Sequence, residues 1–362
     1  MASVDEEWEK FLENEEEFIP KSNNECDDVK TTNIPKCGDI YISTKTKIAY
    51  LNQKIPLQEL FWKIPVVKYH LPRTGVIKKQ IKINSNKVSE VEELEKKLEN
   101  IENCNIDIIS QINNPNARKI KFKDVRKINI GMCKKDLITY RKKKRGAFYN
   151  CFVLLIRLMY KGKFKEIHVK VFNTGKLEIP GIQHDDLLIL TLNSLVELLS
   201  PYFSQTLTYK TNDIQTVLIN SNFDCGFEID RDKFYNILKY TYNLNVTYDP
   251  CSYPGIQCKY YHNKTQDVSG VCNCEKQCGK KNSKNAKKYS EGGCLEISFM
   301  IFRTGSILIV GHCDENILYI IYDFLKVILS KEYLNIKSQY TTVKKIKSTV
   351  QKLHKKTIIL TE

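Results

Sequence analysis

No stretch of this chain stays apolar for long. Its most hydrophobic segments, SFMIF at 298–302 and SILIV at 306–310, are broken far short of the ~18–20 residues that a membrane-spanning helix needs. A transmembrane helix is not expected. The opening MASVDEEWEKFLENEEEF lacks the basic character of a signal or transit peptide, so a reducing compartment is expected, with the 13 cysteines mostly free thiols. P-loop, G-x-G-x-x-G, H-E-x-x-H and nucleophile-elbow motifs are also missing, which removes the chemistries those spacings serve. His184 and His312 are followed by acidic residues that suit a helix start, show no catalytic pairing motif, and read as residues on the approach to a helix. An enzyme is not expected.

What is present is 362 residues with 42% hydrophobic content, enough for two domains or for one pseudo-symmetric domain with insertions and tails. Charge is uneven. Residues 1–30 carry eleven acidic and three basic side chains, net −8, which leaves +23 on the remainder of a chain whose total is +15. The excess includes Arg141-Lys142-Lys143-Lys144-Arg145 and a tail from Lys331 to Glu362 with eight Lys and two Glu. Such a body suits a polyanionic partner, although a Lys-rich surface also serves solubility alone.

The chain repeats itself. VFNTGKLEIPGIQ at 171–183 and IFRTGSILIVGHC at 301–313 share Phe, Thr, Gly, Ile and Gly in register, 130 residues apart. Each reads as a hairpin with a Thr-Gly turn, since Gly supplies the positive φ of a tight turn. Each is followed by a helix-length periodic segment opened by acidic residues, HDDLLILTLNSLVELL at 184–199 and DENILYIIYDFLKVIL at 314–329. Upstream, 40–51 and 216–229 read as strands, and 55–64 and 230–243 as helices. AFYNCFVLLIRLMY (147–160) and VTYDPCSYPGIQCKYY (246–261) read as extended chain. Both units are thus strand, helix, antiparallel strands and long helix, an α+β pattern best explained by duplication.

Insertions interrupt both copies. Residues 70–140 enter the first and hold a helix at 88–102 with one apolar stripe. Residues 263–293 enter the second as a polar loop expected to be mobile. Cys272-x-Cys274-x3-Cys278, with Cys258, His262 and Cys294 near, invites a zinc reading. Against it, the spacing is not a paired C-x2-C, and Cys272 and Cys274 stand too close for two comfortable bites. A metal-free loop is the expectation.

The order of elements, the duplicated hairpin, and YDPCSYPGIQCKYY followed by SFMIFRTGSILIVG resemble the TATA-box-binding protein family over 40–68, 141–200, 214–262 and 294–330. The chain looks like a divergent member, of the kind large DNA viruses carry. The resemblance implies a two-repeat saddle of α+β class, with ten strands in a curved antiparallel sheet and four helices on its convex face. It divides the chain into an acidic tail (1–36), a first repeat (37–205), a second repeat (206–332) and a basic tail (333–362). It implies A·T-rich duplex DNA as ligand, no cofactor, a monomer, and a transcription factor IIB-like factor and RNA polymerase as protein partners. It places the protein in the nucleus or, if viral, in a cytoplasmic virus factory and the virion.

Carried over by position, the family's wedge phenylalanines fall on Phe172 and Phe302. Their strand partners fall on Tyr253 in the second copy and on either Phe148 or Phe152 in the first. Base-edge positions fall on Asn220 and Thr44, while the Thr before the hairpin's last Gly is replaced by Pro180 and Val310. Phosphate positions fall on Arg157, Lys259 and Lys176, with Ser306 replacing the second hairpin Lys. Any one of these Phe also suits a core position, and any one of these cations suits a solvated surface. Two functions follow from the resemblance: a DNA-bending promoter factor, or a scaffold or general nucleic-acid-binding protein that keeps the fold without bending.

The acidic segment is tethered to a basic body at an effective concentration in the mM range. It is therefore expected to compete with DNA, while Trp8, Phe11 and Phe18 among the carboxylates also suit docking on a partner protein. Deleting residues 1–30 should tighten DNA binding, most at low salt, because screening shortens the Debye length to ~8 Å near physiological salt. Unchanged affinity at every salt concentration would leave docking as the better account.

Overall fold

The computed structural model describes residues 34–138, 148–263, 268–274, 278 and 293–338. The acidic segment 1–30, the basic run 141–145 and residues 339–362 of the basic tail lie outside the described residues.

The strands are β1 (Tyr41–Tyr50), β2 (Gly75–Ser85), β3 (Cys104–Asn113), β4 (Phe122–Gly131), β5 (Cys151–Tyr160) and β6 (Lys163–Phe172). They continue with β7 (Lys176–Ile182), β8 (Gln215–Asp224), β9 (Asn245–Thr247), β10 (Ile256–His262), β11 (Leu295–Ile301) and β12 (Ser306–Gly311). The helices are α1 (Leu57–Lys63), α2 (Val88–Leu98), α3 (Lys134–Ile138), α4 (Asp185–Leu199), α5 (Arg231–Asn236) and α6 (Glu315–Ile336). The fold is α+β. All twelve strands form one antiparallel sheet in the order β3-β4-β2-β5-β6-β7-β1-β8-β12-β11-β10-β9.

Counted outward from the β1–β8 pair, the two sides correspond: β7, β6, β5 and β2 on one, β12, β11, β10 and β9 on the other. These ten strands match the number the resemblance implies. β2 lies within the expected insertion 70–140 but takes the place opposite β9, so only β3 and β4 are added beyond it; α2 packs Leu94 and Leu98 into the core with Ile81 of β2 and Ile128 and Ile130 of β4, while β3 is exposed along nearly its whole length.

Alternation decides the buried face. Leu177, Ile179, Phe152, Leu154, Val169 and Val171 meet Leu188, Leu192 and Leu195 of α4 in one core. Ile307, Ile309, Ile297 and Phe299 meet Leu318, Ile321 and Leu325 of α6 in a second. Each leucine-sized side chain so buried contributes roughly 1.5–3 kcal/mol. Both long helices are tied to β1 at their first turns, by Lys47 to Asp185 (3.0 Å) and Lys45 to Glu315 (2.5 Å). The acids also suit the positive end of the helix dipole.

Caps follow the sequence. Asp314 and Asp230 accept from the backbone N–H groups of Ile317 (2.9 Å) and Lys233 (3.2 Å). Helix α6 runs past the periodic segment 314–329, because Ile336 is fully buried and the Asp230 N–H donates to its carbonyl at 2.7 Å. Residues 333–336 of the expected tail therefore belong to the helix.

In both halves the hairpin turn leans on the chain leaving the first strand. Gly175 (φ +83°) accepts from the Leu51 N–H at 2.8 Å, and Gly305 (φ +89°) from the Cys225 N–H at 3.0 Å. A Cβ on Gly175 would lie 2.4 Å from the Gln53 carbonyl oxygen, and one on Gly305 2.3 Å from that of Phe227. Both positions therefore demand glycine for space as well as for φ.

Lys79 of β2 caps the end of α1 from inside the core. It is 4% exposed, and its Nζ donates to the Phe61 and Ile64 carbonyls, at 2.6 Å each. Burial pushes its pKa down to about 8 from 10.5. The folded amine therefore gives up its proton near pH 8 and the unfolded one near 10.5, so between those values the unfolded chain binds more protons and stability rises with pH. Lys79→Met should cost about 1–3 kcal/mol by leaving buried carbonyls without that donor. In urea melts the gap between parent and variant should widen from pH 8 to 10.5; a constant gap would show that Lys79 does not titrate there.

Candidate nucleic-acid interface

The long helices α4 and α6 leave the other face of the sheet to side chains of opposite parity, and only the short α3 lies on it among the described helices, at the β2–β6 end, where Asp136 pairs with Lys78 and the Lys134 N–H donates to Glu166. Register places five of them side by side: Lys259 pairs Ser298, Ser298 pairs Val310, Val310 pairs Asn220, and Asn220 pairs Thr44. At about 4.8 Å per strand, this row crosses β10, β11, β12, β8 and β1 over roughly 19 Å. Four of its five members are residues singled out from sequence. Ser298 is the one the sequence reading missed, and its signal was present as the period-2 alternation of LEISFMI.

The centre of the row is uncharged. Asn220 and Val310 are 7% and 8% exposed, and among the described residues Asn220 Oδ1 accepts no hydrogen bond. The row thus offers small hydroxyl and amide groups beside apolar surface. Lys259 stands at its outer end, 2.8 Å from Glu296, whose hydrogen bond holds the ammonium above its usual range.

Aromatic residues stand at the hairpin turns. Tyr253 and Phe302 pack edge to face with centroids 6.0 Å apart. Gly255 makes room for them, since a Cβ there would meet the Phe302 ring at 2.9 Å and the Tyr253 ring at 3.0 Å. The Tyr253 hydroxyl reaches Met300 Sδ at 3.8 Å. In the other half Phe172 ends β6, with Lys176 Nζ 5.6 Å from its ring centroid. Phe148 is 43% exposed and lies under Lys170 at 4.6 Å.

Two sequence assignments need correction. Phe152 is fully buried in the first core, because its position in β5 faces α4; it has no surface to offer, and Phe148 is the exposed alternative. Arg157 is 6% exposed and spent on structure. Its guanidinium donates to the carbonyls of Arg73 (3.0 Å), Tyr69 (2.8 Å) and Leu71, and so clamps the segment leading into β2. That segment belongs to the insertion side of the first half, which sequence periodicity did not connect to Arg157.

The loop cysteines also differ from expectation. The Sγ atoms of Cys272, Cys274, Cys278 and Cys294 lie within 4.8 Å of one another, so the close spacing of the first two does not prevent convergence. Cys258 is separate, 1% exposed in the second core.

The chain is similar to a TATA-box-binding protein-like protein. That relative, from Acanthamoeba polyphaga mimivirus, is 27% identical over 214 residues, which are 56% of this chain and 53% of the relative. The chain spans about half the length of the curated relative it matches. Among solved structures, Methanococcus jannaschii TBP matches over 82% of this chain and 99% of its own, at 13% identity and a TM-score of 0.36. No protein-family model matches.

Edge-to-face pairs are worth about 0.5–1.5 kcal/mol beyond their buried area. A double-mutant cycle of Tyr253→Ala and Phe302→Ala, followed by denaturant unfolding, should therefore show a coupling of about that size. Additive losses would mean that the rings do not support one another.

Proposed function

We propose that this protein is a transcription initiation factor that binds A·T-rich promoter DNA through the minor groove and bends it. The observation that carries this reading is the row Lys259–Ser298–Val310–Asn220–Thr44, with aromatic side chains at the hairpin turns of both halves. An A·T minor groove presents only acceptors at its base edges and has no exocyclic amine in the way. Asn, Thr and Ser donors beside a small apolar side chain suit that surface. In this reading Phe172 in one half and Tyr253 with Phe302 in the other enter base steps, the device by which minor-groove proteins kink DNA. The mirrored strand order supports duplication as the origin of this two-ended arrangement.

In this reading the helix side and tails recruit a transcription factor IIB-like factor and RNA polymerase, and the protein acts as a monomer wherever nuclear or viral genes are transcribed. A second reading, a scaffold that keeps the fold without bending DNA, draws on Arg157 and on the lysines of the face opposite α4 and α6. Arg157 is committed to backbone carbonyls. Lys78, Lys170 and Lys259 are paired with Asp136, Glu178 and Glu296. Those pairs reduce the charge available for counterion release.

Bending separates the two. In a fluorescence energy-transfer assay the parent should bring the ends of an A·T-rich duplex together and leave a G·C-rich one straight. Phe172→Ala combined with Phe302→Ala should abolish bending and leave weaker, salt-sensitive binding. A double variant that bends DNA like the parent refutes the wedge assignment, and a parent that bends neither duplex favours the scaffold.

A further inference from the structure

We propose that Cys272, Cys274, Cys278 and Cys294 bind one structural zinc ion, which pins the β10–β11 excursion to the end of the sheet. The site is independent of the DNA-binding reading.

The four sulfurs lie within 4.8 Å of one another, close enough to share one ion. Cys294 Sγ lies 3.6 Å from Cys274 Sγ and 3.7 Å from Cys272 Sγ. Zinc bound to four thiolates at ~2.3 Å sets its sulfurs about 3.8 Å apart. A disulfide would bring two of them to ~2.05 Å, and all four cysteines are free. Four like-charged thiolates converging at this distance would repel one another without a cation between them, whereas four thiols would gain little from converging.

The surroundings also fit bound thiolates. Asn263 is 7% exposed, and its Nδ2 points at both Cys274 Sγ (3.9 Å) and Cys294 Sγ (3.8 Å). The Cys294 N–H donates to Cys278 Sγ at 3.4 Å. N–H donors of this kind orient metal ligands and offset the negative charge of a four-thiolate site. Cys278 is buried, and four protein ligands leave no open position for substrate, so the role is structural. A tetrahedral all-sulfur set selects zinc or iron, and magnesium or calcium has no oxygen ligand here.

Position explains what the ion would hold. His262, the last residue of β10, pairs with Leu295, the first of β11, so Asn263 and Cys294 stand at the mouth of the excursion. Cys272 and Cys274 come from the segment 268–274, whose Gly270 carbonyl accepts from the Tyr261 N–H at 2.9 Å. Gly270 packs on Tyr260 so closely that a Cβ there would lie 2.7 Å from the ring. In an extended chain, residues two apart face the same side, which lets Cys272 and Cys274 share one ion despite their spacing. On binding, each thiol gives its proton to solvent and its sulfur lone pair to the metal, with no change of oxidation state.

The test uses the full-length protein produced in zinc-supplemented medium and purified without chelator. Elemental analysis should find one zinc per chain, falling to background in Cys274→Ser with Cys294→Ser and retained in Cys251→Ser, which removes an exposed cysteine outside the cluster. Cobalt(II) exchanged into the parent should give the visible d–d and sulfur-to-metal charge-transfer bands of a tetrahedral thiolate site, a readout that does not require the variants to fold. Stripping the metal should make the segment around 268–294 the first site of proteolysis. Background zinc in the parent, one iron per chain instead, unchanged zinc in the double variant, or intact-mass loss corresponding to disulfides in freshly purified protein would each overturn the proposal.

Discussion

The β1–β8 ladder is the constraint on which the rest depends. It joins two half-sheets, each with its own helices and its own apolar core, into a single sheet. Without that pairing, each half would present a long unsatisfied edge at its inner side, the kind of edge that proteins cover or blunt. The ladder also passes through the candidate interface. Thr44 and Asn220 are directly opposite one another across it, so the register that closes the sheet is the same register that aligns the row. A one-residue slip would turn Asn220 toward the α6 core and Ile219 outward. Candidate interface and core are therefore set by one choice.

Outward from that ladder, the halves share a plan and differ in detail. Each sends a Thr-Gly turn back against the chain leaving its first strand, and each turn carries a phenylalanine. The second half adds an aromatic partner from the loop between β9 and β10 and clears space for it with Gly255. The first half instead extends its sheet by β3 and β4, and it spends Arg157 on holding the chain that leads into β2. A buried guanidinium is tolerated there because three backbone carbonyls accept its hydrogen bonds. The two ends of the proposed interface are thus chemically unequal, with an edge-to-face Tyr–Phe pair at one and separately held phenylalanines beside lysines at the other.

Much of this was legible in the residues alone. Period-2 alternation and Gly at a positive-φ turn located both hairpins, while acidic residues at the helix starts and 3–4 spacing located α4 and the start of α6. These signals are local, since each depends on the few residues that make the strand, turn or first helical turn. Phe172, Phe302, Asn220 and Lys259 could be named because the family resemblance carries its hairpin and strand positions onto them. What only the tertiary structure decided involves residues far apart in sequence. Phe152 and Phe148 are four positions apart, and the neighbours across β6 and β2 settle which is buried. The carbonyls that occupy Arg157 come from residues more than eighty positions upstream. Cys294 joins Cys272 and Cys274 only because β10 and β11 pair and bring the two ends of the excursion together. Periodicity reports which way a side chain faces, but its neighbours, and hence its chemistry, are set by the register of strands that the chain brings together over long distances.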